Sequence, residues 1–265
     1  MSRTHRLGLF IVVGLALFLS IPAISAQAST ATENELINEI VRTNPGTTEH
    51  MVIESADKIA ERTGKTREET LQDIVKEIRQ NARYRDETLA EIRLLQTKSN
   101  ANNESVQLPT SYNRGDMFLA PASTLGVEHG HIGIYGGYNW IVEAPGPDKL
   151  SKWAWNCEVV VPKGTVLMET TCTQEQQNAA ADYAYFNLLN RPYNFDFWDN
   201  KKLDSYFLNC SQLVWIAYMK GAGVDLDGNG GSGVFPYDIK QSTYTKVNWV
   251  VETAPDSCKR KDPYQ

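Results

Sequence analysis

Cysteine and histidine are scarce: the 265-residue chain has four of each. The cysteines, Cys157, Cys172, Cys210 and Cys258, form no Cys-x-x-Cys pair and no cluster with histidine, which argues against zinc. Past residue 24 no apolar run is long enough to span a bilayer, and no repeat or low-complexity tract stands out. Positive charge is also short, with 26 Lys+Arg against 32 Asp+Glu and a net charge of −6. Such a balance makes a poor general binder of nucleic acid or anionic membranes. No metal or cofactor is expected.

What is present begins with Met-Ser-Arg-Thr-His-Arg, an apolar run from Leu7 to Ile24, and the small-residue site Ala26-Gln27-Ala28. This reads as a cleaved secretory signal peptide over residues 1–28, placing the protein outside the cell, at its surface or in a periplasm. Cleavage removes Arg3 and Arg6 and no acid, so the mature charge would be about −8. Export puts the cysteines in an oxidising place. If Cys210 stays unpaired, one disulfide and one spare thiol remain among Cys157, Cys172 and Cys258. Two structural disulfides that include Cys210 fit the spacing equally well.

Residues 29–105 read as a helical segment ending in a linker. Ile37, Ile40 and Val41 mark a first short helix, broken by Asn44-Pro45-Gly46-Thr47. A second covers about Glu49–Arg62 and stops at Gly64. Thr66 with Glu69 forms a capping box that opens a third, with Leu71, Ile74, Ile78, Leu89, Ile92 and Leu95 at helical spacing. The polar string from Lys98 to Ser105 is the linker. From about residue 106 the pattern changes to short β-runs at Met117-Phe118-Leu119, His131–Tyr135, Trp140–Glu143, Glu158–Pro162 and Val166-Leu167-Met168. Gly136-Gly137-Tyr138-Asn139 predicts a hairpin. Helical runs follow over about Gln174–Asn190 and from Cys210, with a Gly- and Asp-rich loop from Gly221 to Pro236. The class is α+β: an antiparallel sheet with packed helices, preceded by a small all-helical segment.

Cys210 sits just before the apolar run Leu213-Val214-Trp215-Ile216-Ala217-Tyr218. At the first turn of a helix, unpaired N–H groups and the dipole favour a thiolate. Only His129 and His131 are available in the second part as a base. His131 opens a strand and shares its face with Gly133 and Tyr135, the glycine leaving space beside the ring for a substrate. Glu143, a charge in an apolar run, calls for a partner. A register pairing His131 with Glu143 would place both on one face, and that register needs a loop of odd length. Residues of these types are more often structural than catalytic when each is taken alone.

Gly115-Asp116-Met117, Gly130-His131-Ile132-Gly133-Ile134-Tyr135, Val142-Glu143-Ala144-Pro145-Gly146 and Asn209-Cys210-Ser211-Gln212-Leu213-Val214 stand in this order. Together they resemble the circularly permuted branch of the NlpC-type papain-like cysteine hydrolases, and within it the YiiX/YycO-like group. Arg191-Pro192-Tyr193-Asn194-Phe195 and the stretch from Gly223 to Ile239 resemble that group too. The likeness covers about residues 106–245. It implies a permuted papain-like domain over residues 106–265, with Cys210 as nucleophile, His131 as base, Glu143 as orienting acid and Tyr193 as a substrate-side oxyanion donor. Tyr193 fits equally a core aromatic. Asn209 departs from the Tyr common in the permuted group and the Asp of the unpermuted branch.

The activity so implied is hydrolysis of an amide bond through an acyl-enzyme, with cell-wall peptides as the superfamily's usual substrates. The related lecithin:retinol acyltransferase branch shares the permuted order and an Asn-Cys pair, so a lipid ester, thioester or fatty amide is the alternative. An apolar tunnel would favour the lipid and polar anchors the peptide. A third reading is a peptide- or glycan-binding module with a structural Cys210. Asp225-Leu-Asp227-Gly-Asn229-Gly230 matches half of a calcium loop, but Pro236 stands where a bidentate Glu is needed. Trp140, Trp153, Trp155, Phe195, Phe197 and Trp198 could line a groove, although such residues more often pack. The helical segment could cover the site, mediate oligomerisation or bind a partner.

Overall fold

Met117-Phe118-Leu119 becomes an inner strand because alternate residues have an apolar layer to meet on each side. In the computed structural model, which describes residues 22–95, 104–124 and 127–253, that strand is β2 (Met117–Ala120). The strands in chain order are β1 (Ser105–Gln107), β2, β3 (Ser123–Thr124), β4 (Val127–Glu128), β5 (His131–Gly137), β6 (Trp140–Glu143), β7 (Lys152–Trp155), β8 (Val160–Pro162), β9 (Val166–Thr170) and β10 (Thr245–Val250). Six of them form one sheet in the order β10-β9-β2-β5-β6-β7, with every neighbour antiparallel. The molecule is thus α+β, as its pattern predicts. Residues 1–21, which hold most of the expected leader, residues 98–103 of the linker, and Cys258 lie outside the described residues.

One face of the sheet carries Leu119, Ile132, Ile134 and Val142 against α4 (Gln174–Asn187) and α5 (Cys210–Ala222). These two helices touch closely at Gly221, where a Cβ would stand 2.4 Å from the Ala179 carbonyl oxygen. The other face buries Phe118, Tyr135 and Ile141 with Leu108 and Val161, the latter from the small β1–β8 pair. The segment expected as a strand from Glu158 instead begins as a 3-10 turn, Asn156–Glu158, before β8.

The helical segment comprises α1 (Pro22–Thr43), α2 (Glu49–Thr63) and α3 (Arg67–Leu95). The first helix, marked in the sequence by Ile37, Ile40 and Val41, is longer than the short one expected: it starts at Pro22, and its first turns include Ala26-Gln27-Ala28. Thr48 caps α2, and Gly64 ends it in the left-handed conformation at φ 73°. The Thr66–Glu69 capping box forms, with Glu69 Oε2 accepting from the Thr66 N–H at 2.8 Å. Ile40, Val52, Ile59, Leu71 and Ile74 share one core with Phe197, Trp198 and Phe235 of the second part. Trp198 Nε1 donates to Ser55 Oγ, Ser55 Oγ donates to Asp196, and Arg62 pairs with Asp199 at 2.6 Å. The α1–α2 turn is pressed onto the aromatic ring of Phe195: Gly46 has φ 93°, and a Cβ there would meet that ring at 2.4 Å. α6 (Pro236–Gln241) packs against α3 and is tied to it by Lys240–Glu91.

The Gly- and Asp-rich loop is closed by a lysine. Lys201 Nζ lies 2.7 Å from Asp227 Oδ2 and donates to the Gly231 carbonyl, so an ammonium stands among oxygens of the half calcium motif. From α3, the Glu77 carboxylate accepts the Ser232 and Gly233 N–H groups. Burial outweighs these two bonds and pushes the Glu77 carboxyl up to about 7.

Two outcomes follow from this docking. Deleting the helices strips Phe197, Trp198 and Phe235 of their cover, so a chain lacking residues 29–105 should lose its cooperative thermal transition; a sharp transition in soluble truncated protein would contradict a shared core. Glu77 keeps its proton in the folded chain between pH 4.5 and about 7 after the unfolded chain has lost it. It therefore removes stability as pH rises through that window, by at most about 1.4 kcal/mol per pH unit. Urea unfolding of Glu77→Gln should show a shallower loss between pH 5 and 7 than the parent.

Candidate active site

Cys210 is the first residue of α5, and Asn209 is its N-cap. Asn209 Oδ1 accepts from the Gln212 N–H at 2.9 Å, from Ser211 Oγ at 3.2 Å and from Asn200 Nδ2 at 3.3 Å. Asn200 and Ser211 also donate to the Val234 carbonyl, and Asn200 Oδ1 accepts the Val234 N–H. An amide oxygen here gathers three donors without placing a formal charge beside the thiol.

His131 reaches Glu143 by a register that differs from direct pairing. The β5–β6 turn holds two residues, Tyr138 and Asn139, between the paired Gly137 and Trp140. Continued without interruption, that even loop would put Glu143 on the face opposite His131. A bulge between Tyr135 and Gly137 adds the missing residue, so Ile134 pairs with Val142 and Glu143 falls across from Gly133. The Trp140 indole lies on the bulge, where a Cβ at Gly136 would stand 2.0 Å from the ring. His131 then meets Glu143 diagonally, with Nε2 at 2.8 Å from Oε2.

The space beside Gly133 is not open to substrate, contrary to the expectation from sequence. Phe118, directly across on β2, fills it: a Cβ on Gly133 would stand 2.5 Å from its ring. The same ring packs against His131 with centroids 5.6 Å apart. The glycine admits the aromatic that holds the imidazole in place.

With Nε2 given to Glu143, Nδ1 is the ring nitrogen left over, and Cys210 lies near enough to the imidazole to raise its pKa. Burial works to lower the His131 pKa, but Cys210 and Glu143 outweigh it and hold the imidazole above its ordinary value. Burial likewise opposes ionisation of Glu143, yet His131 and then Lys152 hold its carboxyl below the usual range. Lys152, across the β6–β7 pair, stands 3.7 Å from Oε1. His129 is kept below the ordinary histidine value by burial, with its Nδ1 2.8 Å from the Gly130 carbonyl oxygen.

Tyr193 joins this group through the backbone. An isolated parallel bridge pairs it with Leu208, the Leu208 N–H donates to the Pro192 carbonyl, and the Asn194 N–H donates to the Leu208 carbonyl. Burial and then the nearby Cys210 push the phenol well above its ordinary pKa, so it remains a donor. Asn194 Nδ2 supports α5 by donating to Gln212 Oε1. By contrast, the Asp116 carboxylate accepts from Ser111 and Asn113 and sets the turn into β2. Cys157 is disulfide-bonded, while Cys172 and Cys210 are free.

A cavity of about 310 Å³ reaches the group from the side of His131 and Tyr193. Cys210 itself is 1% exposed and does not line the cavity. Pro45, Ile78 and Ala82 of the helical segment line the cavity together with Pro145, Phe197 and Phe235. The six aromatics read from the sequence therefore divide. Phe195, Phe197 and Trp198 join the seam with the helices, whereas Trp140, Trp153 and Trp155 stack edge to face along β6 and β7. Asn200, Asn194, Lys152, Phe118 and the cavity residues of α3 escaped the sequence reading because each acts through a distant partner.

The cap offers a direct check. Asn209→Ala should lower stability by about 1–2 kcal/mol in urea unfolding, since the helix start loses its acceptor. An unchanged midpoint would show that water or a neighbour replaces the bond.

No protein-family model matches the chain. The uncharacterized protein YycO of Bacillus subtilis (strain 168) is 32% identical over 208 residues, which cover 78% of this chain and 83% of that protein. A solved structure, the metalloprotein YiiX from Escherichia coli O157:H7, aligns at 15% identity with a TM-score of 0.40, over 54% of this chain and 98% of that one. With that identity to YycO across more than two thirds of both chains, the chain belongs to the YycO family.

Proposed function

We propose that this protein is an exported thiol hydrolase of the permuted papain-like, NlpC type, with Cys210, His131 and Glu143 as its catalytic group. The observation that carries the reading is a single imidazole bonded to a buried carboxylate at 2.8 Å, with a free thiol at a helix start near enough to raise the imidazole pKa. This is the arrangement that activates a nucleophile through an oriented base. His131 takes the thiol proton and the Cys210 sulfur attacks a carbonyl carbon. The Cys210 backbone N–H and the Tyr193 hydroxyl are the donors for the oxyanion. His131 then returns the proton to the leaving amine, and water attacks the acyl-enzyme with His131 as base, releasing the acid and the free thiol. Glu143 holds the ring and stabilises the imidazolium, with Lys152 on its other oxygen.

For the substrate, export and the superfamily's habits support an amide bond in cell-wall peptides. The cavity favours a second reading on its acyl side. Its walls are mainly apolar, as a fatty-acyl or other apolar acyl group would require. Incubation with a panel of wall peptides and lipid esters, with the released products identified, decides between them.

Cys210→Ala and His131→Ala should each abolish hydrolysis with the fold intact, and Glu143→Gln should reduce it less. Tyr193→Phe should cut kcat by about 10²–10³-fold with little change in KM if its hydroxyl serves the oxyanion. Full activity in Cys210→Ala would sink the assignment. Absence of any pH-dependent labelling at Cys210 in the native protein would favour a binding role instead.

A further inference from the structure

The proposed catalytic group is most open at its imidazole. Cys210 is 1% exposed and the Glu143 side chain 5%, whereas the His131 side chain is 19% exposed and lines the cavity together with Tyr193. A substrate coming to this group therefore meets the imidazole from the cavity. Part of the lining comes from α3. Ile78 and Ala82 stand four residues apart on one helix face, and both border the space. Ile78 is buried in the core shared with Phe197, Trp198 and Phe235, so this wall is fixed to the second part and is no detachable cover. Ala82 is half-buried and lies outside that core. Its single methyl leaves to the cavity the room that a longer side chain would take.

Charge and volume both limit what enters. Arg85 Nη2 donates to Asp86 Oδ1 at 2.8 Å and its Nη1 donates to the Glu128 carbonyl, with the Glu128 carboxylate 3.9 Å from Nε. His131 is committed to Glu143, and His129 is held toward its neutral form by burial. An ion on the ligand would enter beside charges that already have partners. The space measures about 310 Å³. At about 30 Å³ for a water-sized unit, it holds roughly ten such units. That suits one apolar side chain or a short alkyl chain and falls well short of a sixteen-carbon tail.

We infer that Ala82 is a specificity-determining residue: from α3 it sets the size of a pocket beside His131 that takes one short, uncharged, apolar group of the substrate and excludes a long acyl tail. This deepens the hydrolase reading and rests on it. The group belongs to either side of the scissile bond, and the test reads both sides. The inference also gives the helical segment a role, as a permanent part of the substrate pocket.

The test uses the full mature chain and two substrate series. One is the p-nitroanilides of butanoate, octanoate and hexadecanoate, which vary the acyl side. The other is the n-butyl, n-octyl and n-hexadecyl amides of N-acetyl-alanine, which vary the leaving amine. In one series the parent should show kcat/KM at least about tenfold higher for the eight-carbon member than for either other. Ala82→Leu keeps a good helix former on α3 and fills the space, so it should bring the octyl-to-butyl ratio in that series toward one. The smaller Ala82→Val should lower the ratio less. A ratio retained in both variants, or a preference for the sixteen-carbon member, overturns the inference. Calorimetry of butanamide and octanamide with Cys210→Ala separates the two readings. If the parent turns over neither series, but octanamide binds Cys210→Ala at least about tenfold tighter than butanamide and loses that advantage when Ala82→Leu is added, the hydrolase assignment falls and the pocket assignment stands. If octanamide binds no better than butanamide, or Ala82→Leu leaves its affinity unchanged, the pocket assignment falls.

Discussion

A tryptophan ring lying on two glycines controls the geometry of the candidate site. Trp140 occupies the space that a side chain at Gly136 or Gly137 would need, and the strand bulges there. The bulge supplies one residue to an even-numbered turn and so restores the parity that puts Glu143 on the face of His131. Because side chains alternate on a strand, a one-residue slip would turn the carboxylate to the helix-covered face. The contact of 2.8 Å between imidazole and carboxylate depends on that packing. Phe118 then holds the ring through the gap at Gly133, and α5 delivers the thiol from the other side.

Helix α5, which Cys210 opens, is fixed with similar redundancy. Asn209, Asn200, Ser211 and Val234 form a closed set of hydrogen bonds around its first turn, while Asn194 anchors Gln212 from the strand-like segment that carries Tyr193. Most of these are amide or hydroxyl groups in a buried place, although Asn209 Nδ2 and Gln212 Nε2 are left without a partner. The same segment, through Phe195, Phe197 and Trp198, is where the helical part docks. The candidate site and the helix docking thus share residues, and the cavity lies on their common seam.

Much was legible in the chain itself. The capping box at Thr66 and Glu69, the stop at Gly64, the short β-runs of β2, β5 and β6, and the helix beginning at Cys210 are local signals, set by residues within a few positions of one another. The α+β class follows from them. So does the pairing of one thiol with one strand histidine, because few candidates existed to choose from. Strands β7 and β10 and helix α6 were not read, since their burial comes from partners far along the chain.

Sequence alone determined the chemical groups available: which thiol heads a helix, which histidine opens a strand, and which carboxylate sits in an apolar run. Tertiary structure alone decided how they meet. It set the diagonal register through the Gly136 bulge, filled the gap at Gly133 with Phe118 rather than leaving it for substrate, and closed the Asp-rich loop with Lys201. It also made the helical segment a wall of the cavity. Each of these depends on contacts between residues distant in the chain, whose cost and gain appear only when the surfaces are packed together.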